Sequence, residues 1–466
     1  MNRPDLGTAG ATGLIERTGA PAAGDGPTPA NRRLTMSAAT TTVAPALEKM
    51  RAALGIAEND GPKGSNWQVL RQPRFPWYFT GSVVSNFGTW LQNTAQVVLA
   101  YQLTHSVFWV GLISCAQFSS PLFLGPWAGI LTHRFGNWRT LIVTQCASLL
   151  ISATLAGLWF NHALTRTWLF AGALAIGLAF TFALPALSVT VAALVPPSET
   201  KKALALDSVS YNLGRALAPV FSVLLFTTIG VGWAFAFNAI SFGYFTAVLV
   251  WLHPRGGLTG KINRSPATNG FRIAWRDRRI LILLLMVAAV TVAADPILVL
   301  GPALARSFGT SADWSGIFIA ALGAGNVIGS FRPTRQAPSI RRAAIVLSVL
   351  AVAMMMFVLA PWIWVSVAAA LTAGMACLAA GATTRALLIH HAGPGAQAAV
   401  MAAWAVAWAG SKPIASLADG TLAGVIGIRP TGILLALPAL VPALILILFP
   451  AAGRRFAGNL AFGLAS

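Results

Sequence analysis

Charge is scarce in this sequence. Only 9% of the 466 residues are Asp, Glu, Lys or Arg, whereas 56% are hydrophobic. Soluble domains carry about 25% charged residues, so this composition cannot cover a water-facing surface of that size. Acidic residues are scarcest after position 60. Six of the twelve fall in the first 60 positions, and only six lie in the remaining 406. These shortages exclude a soluble enzyme and a disordered chain, and they predict a polytopic α-helical membrane protein.

Cysteine and histidine are also too few, and too scattered, for a cofactor or a disulfide scaffold. Cys115, Cys146 and Cys377 lie in apolar stretches without metal-ligand spacing, which is typical of small core residues. The six histidines lie in loops or at the ends of apolar stretches, with no carboxylate or nucleophile pattern beside them. We therefore expect no covalent catalysis, no bound metal and no cofactor.

Long apolar stretches alternate with short polar ones from Phe75 onward. Each stretch has roughly the 20 residues that a helix needs to cross hydrocarbon. The sequence predicts twelve spans, at 76–103, 107–131, 139–160, 166–194, 204–228, 231–252, 280–304, 314–331, 342–360, 362–384, 398–424 and 430–450.

The basic residues predict the orientation of these spans. With a cytoplasmic N-terminus, 21 Lys and Arg residues from Lys63 onward fall in cytoplasmic loops or at cytoplasmic span ends, and only Arg166, Arg306 and Arg429 fall outside. Positive charge collects on the cytoplasmic side of membrane proteins, so both termini are expected there. The same layout, short basic clusters between spans, argues that the net charge of +20 does not serve nucleic-acid binding.

The chain divides into four predicted parts. Residues 1–72 are rich in Ala, Gly, Thr and Pro and predict a disordered cytoplasmic tail without a secretory signal. Residues 73–252 form a first six-helix bundle, 253–279 a basic cytoplasmic linker, and 280–466 a second six-helix bundle with a short tail.

The two predicted bundles share a local pattern. Gly125 and Gly129 precede arginines after the second span, and Gly325 and Gly329 do so after the eighth, at an offset of 200 residues. Small residues four apart allow close helix approach in lipid. Two repeated six-helix halves are typical of a secondary transporter with a central cavity.

Several stretches together resemble a known family. The first span contains Ser85-Asn86-Phe87-Gly88-Thr89-Trp90-Leu91-Gln92, and the fifth contains Asn212-Leu213-Gly214-Arg215. These stretches resemble the major facilitator superfamily, in the branch of bacterial exporters that includes the enterobactin exporter and macrolide efflux proteins. The resemblance covers about 75–450. It implies a twelve-helix transporter fold and marks Asn86, Trp90 and Gln92 as motif residues of the first span.

The loop after the second span departs from the family pattern. It reads Gly129-Ile130-Leu131-Thr132-His133-Arg134-Phe135-Gly136-Asn137-Trp138-Arg139, with His133 where the family has an aspartate. The resemblance implies that this carboxylate latches the cytoplasmic face. A neutral histidine accepts one hydrogen bond and supplies no fixed negative charge. Gating is then either altered and pH-sensitive, or the latch is redundant and His133 is tolerated.

Ionisable residues inside spans are candidates for solute binding or ion coupling, because a charge in the bilayer is costly. Arg215 and Lys412 fall near the middle of the fifth and eleventh spans. Asp207 is a candidate proton carrier or a static partner of Arg215. Asp295 is a candidate proton carrier or a cap where Pro296 breaks the helix. Asp419 is expected towards the external vestibule.

The eleventh span carries an aromatic face. Trp404, Trp408, Lys412 and Asp419 are spaced four, four and seven apart, which places them on one stripe of a helix. Tryptophans beside a cation can stack on a planar anionic or aromatic solute. The alternative is that both tryptophans serve packing or face lipid.

These features favour a monomeric secondary exporter that moves a small organic solute (a siderophore, a drug or a related metabolite) by alternating access, driven by proton antiport. Two alternatives remain: an uncoupled facilitator, and a non-transporting membrane receptor or scaffold.

Overall fold

The computed structural model describes residues 66–253, 272–273, 275–330 and 339–448, apart from a few side chains that include His133. Within these ranges the chain is helical and contains no strand. The helices are α1 Phe75–Thr104, α2 Val107–Phe135, α3 Asn137–Phe160, α4 Arg166–Ala193, α5 Thr200–Thr228, α6 Trp233–Leu252, α7 Arg278–Ala294, α8 Pro296–Val299, α9 Gly301–Ser307, α10 Ser315–Ser330, α11 Ile340–Leu359, α12 Ile363–Ile426 and α13 Ile428–Leu448.

The helices have the length and surface of membrane spans. Nine segments of the described chain are long and apolar enough to cross a bilayer. Large apolar side chains such as Leu150, Ile240 and Leu285 are more than half exposed on helix faces, which suits lipid rather than water. The predicted all-α membrane fold is confirmed, and the helix order is consistent with twelve crossings.

Helix α12 unites two predicted spans. The interval 385–397, which was left between the tenth and eleventh predicted spans, has helical backbone throughout. Residues 27 apart in a straight helix would be about 40 Å apart. A Cβ at Gly381 would nevertheless lie 3.0 Å from the Trp408 ring. Therefore α12 folds back on itself and crosses twice, as a first limb (363–385) and a second limb (404–426). Alanines flanking Gly393 and Gly395 favour helix, which explains why the predicted loop was wrong.

The seventh predicted span, 280–304, is not one helix. It is divided into α7, α8 and α9, with breaks at Asp295 and Leu300. Pro296 has no N–H to donate to the preceding turn, and Gly301-Pro302 repeats the interruption. The breaks leave Asp295 at a helix junction in the protein interior.

The two halves of the chain meet through α2 with α12 and through α5 with α10. Near the start of α2 the contact is between backbones. A Cβ at Gly420 would lie 3.1 Å from Cα and O of Phe108, and Gly111 packs on the backbone of Ser416. Gln102 Nε2 donates to Asp313 Oδ1 at 2.8 Å at the same end. We call this end of the helices, where α1 finishes, the closed end.

The opposite end, where α1 begins, is the open end. Gly325 and Gly329 pack there against Leu371 and Met375 of the first limb, as their spacing predicts. Gly125 does not, because nothing lies within 4 Å of a Cβ placed on it. The prediction of close packing at Gly125 was therefore wrong. Gly125 is exposed on α2, whereas Gly129, one turn later, is buried.

Candidate functional site

A cavity of about 680 Å³ lies between the two halves. It is lined by the first part of α1 and α5, the later part of α4, and both limbs of α12. Its wall includes exposed residues towards the open end, Leu184, Ser208 and Arg385 among them, so solvent reaches it from that end. Six residues predicted from the sequence line it: Asn86, Trp90, Asp207, Arg215, Trp404 and Trp408.

Aromatic rings and guanidinium groups form one wall of the cavity. Trp404 and Trp408 stack with centroids 5.6 Å apart and planes 20° apart. Cζ of Arg385 lies 5.3 Å from the Trp404 ring centroid. Cζ of Arg215 lies 5.5 Å from the Trp90 ring centroid. Trp404 and Trp408 on the second limb of α12 therefore face the cavity, and cations lie against aromatic faces on each half of the protein.

The acid of the cavity is held by hydroxyl groups. Asp207 Oδ1 accepts hydrogen bonds from Tyr78 Oη at 3.2 Å and Ser82 Oγ at 3.1 Å. Asn86 Nδ2 donates to Ser210 Oγ at 2.7 Å beside them. Both side chains are described and no ion pair joins Asp207 to Arg215, which argues against the alternative of a static partnership. Among the described residues the Arg215 guanidinium in the cavity wall has no carboxylate partner.

Lys412 lies one layer of rings behind the cavity. Its Nζ is 3.8 Å from the Phe118 ring centroid and 5.9 Å from that of Trp90, and both rings line the cavity. Lys412 itself is not part of the lining. The cation therefore lies between the cavity and the acids nearer the closed end.

Two acids nearer the closed end, Asp295 and Asp419, are buried together. Asp295 is 5% exposed and Asp419 is fully buried, so the expected exposure of Asp419 to an external vestibule is wrong. Ser416 Oγ donates to Asp295 Oδ2 at 2.5 Å. Ser416 lies three residues before Asp419 on the same limb, so this hydrogen bond places Asp295 against the helix face that carries Asp419. The Asp295 side chain caps neither adjoining helix, which removes the capping alternative.

Gln92 holds helices together. Its Oε1 accepts from Ser152 Oγ and from Asn238 Nδ2, each at 2.8 Å, and so ties α1 to α3 and α6. Gln117 Nε2 donates to Asn93 Oδ1 at 2.5 Å and joins α2 to α1. Of the three motif residues in α1, Asn86 and Trp90 reach the cavity, and Gln92 is turned into the first half.

The loop after α2 is a tight junction between helices. Gly136 ends α2 and begins α3 with φ of 89°, a left-handed conformation that glycine adopts without a Cβ clash. Arg134 and Arg139 are exposed beside it. The side chain of His133 lies outside the described part, so its role in a latch stays a prediction.

Arg385 is the cavity residue that sequence reasoning missed as a site. It was counted among cytoplasmic loop cations because the tenth span was expected to end at 384. Leu378, Gly381, Ala382 and Arg385 recur at helical spacing and all line the cavity. That periodicity could have identified Arg385 as a cavity residue from the sequence. Among the described residues, no group of three or more His, Cys, Asp or Glu side chains could hold a metal.

Comparison with known proteins agrees with this arrangement. Residues 64–454 match the family model described as transmembrane secretion effector, MFS_3. A curated relative, the enterobactin exporter EntS of Salmonella choleraesuis (strain SC-B67), is 28% identical over 327 residues, which cover 67% of this chain and 75% of that protein.

Solved transporter structures share the fold. A bacterial homologue of the human lysosomal transporter Spinster, in an inward-facing and unoccupied conformation, superposes with a TM-score of 0.64 at 15% identity, covering 80% of this chain and 96% of the other. The nucleoside transporter NupG gives a TM-score of 0.65 at 12% identity, with coverage of 80% and 97%. The chain is therefore a multi-pass membrane protein that belongs to the transmembrane secretion effector family of the major facilitator superfamily.

Proposed function

We propose that this protein exports an anionic organic solute with a planar or aromatic part, by alternating access and in exchange for protons. The observation that carries the proposal is the cavity wall, where Arg215 and Arg385 lie against the faces of Trp90 and Trp404. A solute with one aromatic face and one anionic group would stack on the indoles and pair with a guanidinium.

The direction of transport follows from which end is open. The basic residues predict that the open end faces the cytoplasm, so the cavity would load from inside the cell. Backbone contact between Gly420 and Phe108 would then close the outside. Export requires this contact to part while the open end closes, as in other transporters of two repeated halves. The similarity to a relative named as an enterobactin exporter supports export and a siderophore-like solute.

The volume sets a limit on the solute. About 680 Å³ lies within the range of 300–1,000 Å³ typical of small-molecule sites. Among the described residues of the wall, Asp207 is the single carboxylate, against the guanidinium groups of Arg215 and Arg385, so the balance of charge is positive. A cationic solute would meet two guanidinium groups without a free counter-charge, and we expect it to be excluded.

Comparative mass spectrometry of cells and medium tests the proposal. The protein would be expressed in an efflux-deficient bacterium, beside cells that lack it and cells that carry Arg385→Met. We expect an anionic aromatic metabolite to move from cells to medium with the wild type, and to move several-fold less with Arg385→Met. Arg341→Met is the matched control, because Arg341 is exposed at the start of α11 and lies outside the cavity.

The same assay separates the alternatives. Collapse of the proton gradient should abolish the shift of the metabolite. A shift that survives collapse would indicate an uncoupled facilitator. No shift, with the protein confirmed in the membrane, would contradict export and favour a receptor or scaffold. Removing residues 1–70 should leave transport intact, whereas a scaffold that uses the N-terminal tail would lose its activity.

A further inference from the structure

The buried acids Asp295 and Asp419 form a site for one proton. Ionising both of two neighbouring carboxylates is costly, because their like charges repel in a site that excludes water. Both oxygens of Asp419 lack a hydrogen-bond donor from any described neighbour, and its side chain has no exposure to solvent. A proton held between the two carboxyl groups supplies the missing donor.

The surrounding charges match a single shared proton. Lys412 is the cation that interacts with Asp295, and Arg215 on α5 acts on Lys412 as a like charge. Cys115 of α2 faces Asp295, and Cys377 lies near Lys412 and Arg215. With one proton, the two acids carry a charge of −1 that Lys412 balances. Without it, the buried cluster carries an uncompensated negative charge, which is costly inside the membrane.

The site touches both halves of the protein at the closed end. Ser416 donates to Asp295 through its hydroxyl, and its backbone packs against Gly111 of α2. Cys115, on the same helix one turn later, faces Asp295. A change of charge on the acids therefore changes the electrostatic energy of the contact that closes this end of the cavity.

We propose that Asp295 and Asp419 share one proton beneath the contact of α2 with α12, and that gain and loss of this proton switches the closed end between closed and open. The inference rests on the proposed proton antiport. The proton binds from the closed-end side when that side is open, neutralises one carboxylate and allows the contact to close. It leaves towards the cavity, past Lys412, and both acids are then ionised.

Infrared spectroscopy of the purified full-length protein in lipid tests the site with the proton itself as probe. The carbonyl stretch of a protonated carboxylic acid is separate from that of a carboxylate and shifts in heavy water. We expect wild type at neutral pH to show a band component that disappears in Asp419→Asn, because the remaining Asp295 is ionised opposite Lys412. In Asp295→Asn the buried Asp419 keeps a proton but has lost its carboxylate partner, so the band should remain at a shifted frequency.

Glu199→Gln is the matched control, because Glu199 accepts a hydrogen bond from Gln72 outside the site. It should leave the component unchanged. If either Asn variant fails to fold, Ser416→Ala keeps both acids, and loss of its hydrogen bond to Asp295 should shift the band. A wild type without the component, a band that persists in Asp419→Asn, or a band at unchanged frequency in Asp295→Asn or Ser416→Ala would overturn the proposal.

This measurement is independent of solute transport. If the carboxylic acid band is found and no solute moves, the proton site stands and the proposed export fails. If a solute is exported in a gradient-dependent manner and the band is absent, export stands and the coupling site lies elsewhere, with Asp207 the next acid to test.

Discussion

A methyl group added at Gly420 should open the closed end of the protein. The Cβ of an alanine there would lie 3.1 Å from Cα and O of Phe108 and 3.1 Å from O of Val107, closer than ordinary van der Waals contact. All three are backbone atoms of α2, so no side chain can rotate away. Overpacking of this kind costs about 1–3 kcal/mol, and the cost falls only on the conformation in which α2 and α12 touch.

The shift in the ratio of open to closed protein can be calculated, because only the closed conformation bears this cost. A penalty of about 2 kcal/mol on the closed conformation raises the ratio of open to closed roughly 30-fold, at about 1.4 kcal/mol for each factor of ten. Alanine also favours helix over glycine by about 1 kcal/mol. That gain applies to both conformations, because α12 is helical in each, so it leaves the ratio unchanged.

Alkylation of Cys115 measures the open population. Cys115 lies on α2 one turn after Gly111 and is only partly exposed in this conformation. Its reaction with a membrane-impermeant maleimide added outside cells should become faster when the closed end parts. Cys146→Ser and Cys377→Ser would make it the sole thiol. We expect Gly420→Ala to increase the alkylation rate about tenfold or more over the parent protein.

Gly424→Ala is the matched control for this experiment. Gly424 lies one turn further along the same limb, and nothing is within 4 Å of a Cβ placed on it. Its alanine variant gains the same helix propensity without touching α2, so the rate should equal that of the parent. Equal rates for the two alanine variants would refute the assignment of this contact as the closing element.

Three further predictions concern single side chains. Lys412→Ala should reduce export at least several-fold while folded protein remains in the membrane, because the buried acids lose their counter-charge; wild-type flux in vesicles would contradict this. Trp408→Ala should weaken binding of an aromatic solute by about 1–3 kcal/mol per lost stacking surface, by analogy with base stacking, measured as a rise of roughly 5- to 150-fold in Kd. Gln92→Ala should leave two buried donors, on Ser152 and Asn238, unsatisfied. It should lower the free energy of unfolding by about 1–3 kcal/mol or more, seen as a lower melting temperature in detergent, with no change in solute affinity.

Much of the fold was predictable because lipid imposes a simple rule on sequence. Spans such as 139–160 and 342–360 agree with α3 and α11 to within a few residues, since each crossing needs an apolar stretch of fixed length. The loop expected at 385–397 was wrong, because local breakers near Gly393 were weaker than the helical preference of their neighbours. The split of the seventh span was visible in Pro296, but its three-part outcome depended on packing.

The candidate site was predicted in part. Periodicity on one helix placed Trp404 and Trp408 on a common face, and the structure turns that face to the cavity. Arg385 escaped notice because it lies beyond the expected end of its span. Gly125 and Gly325 occupy equivalent positions in the repeat, yet only Gly325 has a helix against it. The spacing of small residues shows where a helix can be approached closely. Whether another helix packs there depends on the tertiary structure.

The sequence by itself determined the class of protein, the order of the membrane crossings and the small number of charged residues within them. Composition and hydrophobic periodicity are properties of local stretches of the chain, so they can be read without the tertiary structure. Only the tertiary structure decided which of those charges meet. Asp295 and Asp419 are 124 positions apart, and no pattern along the chain relates them. They come together because α7 breaks at Pro296 beside the second limb of α12, where Asp295 accepts a hydrogen bond from Ser416 and Asp419 is fully buried.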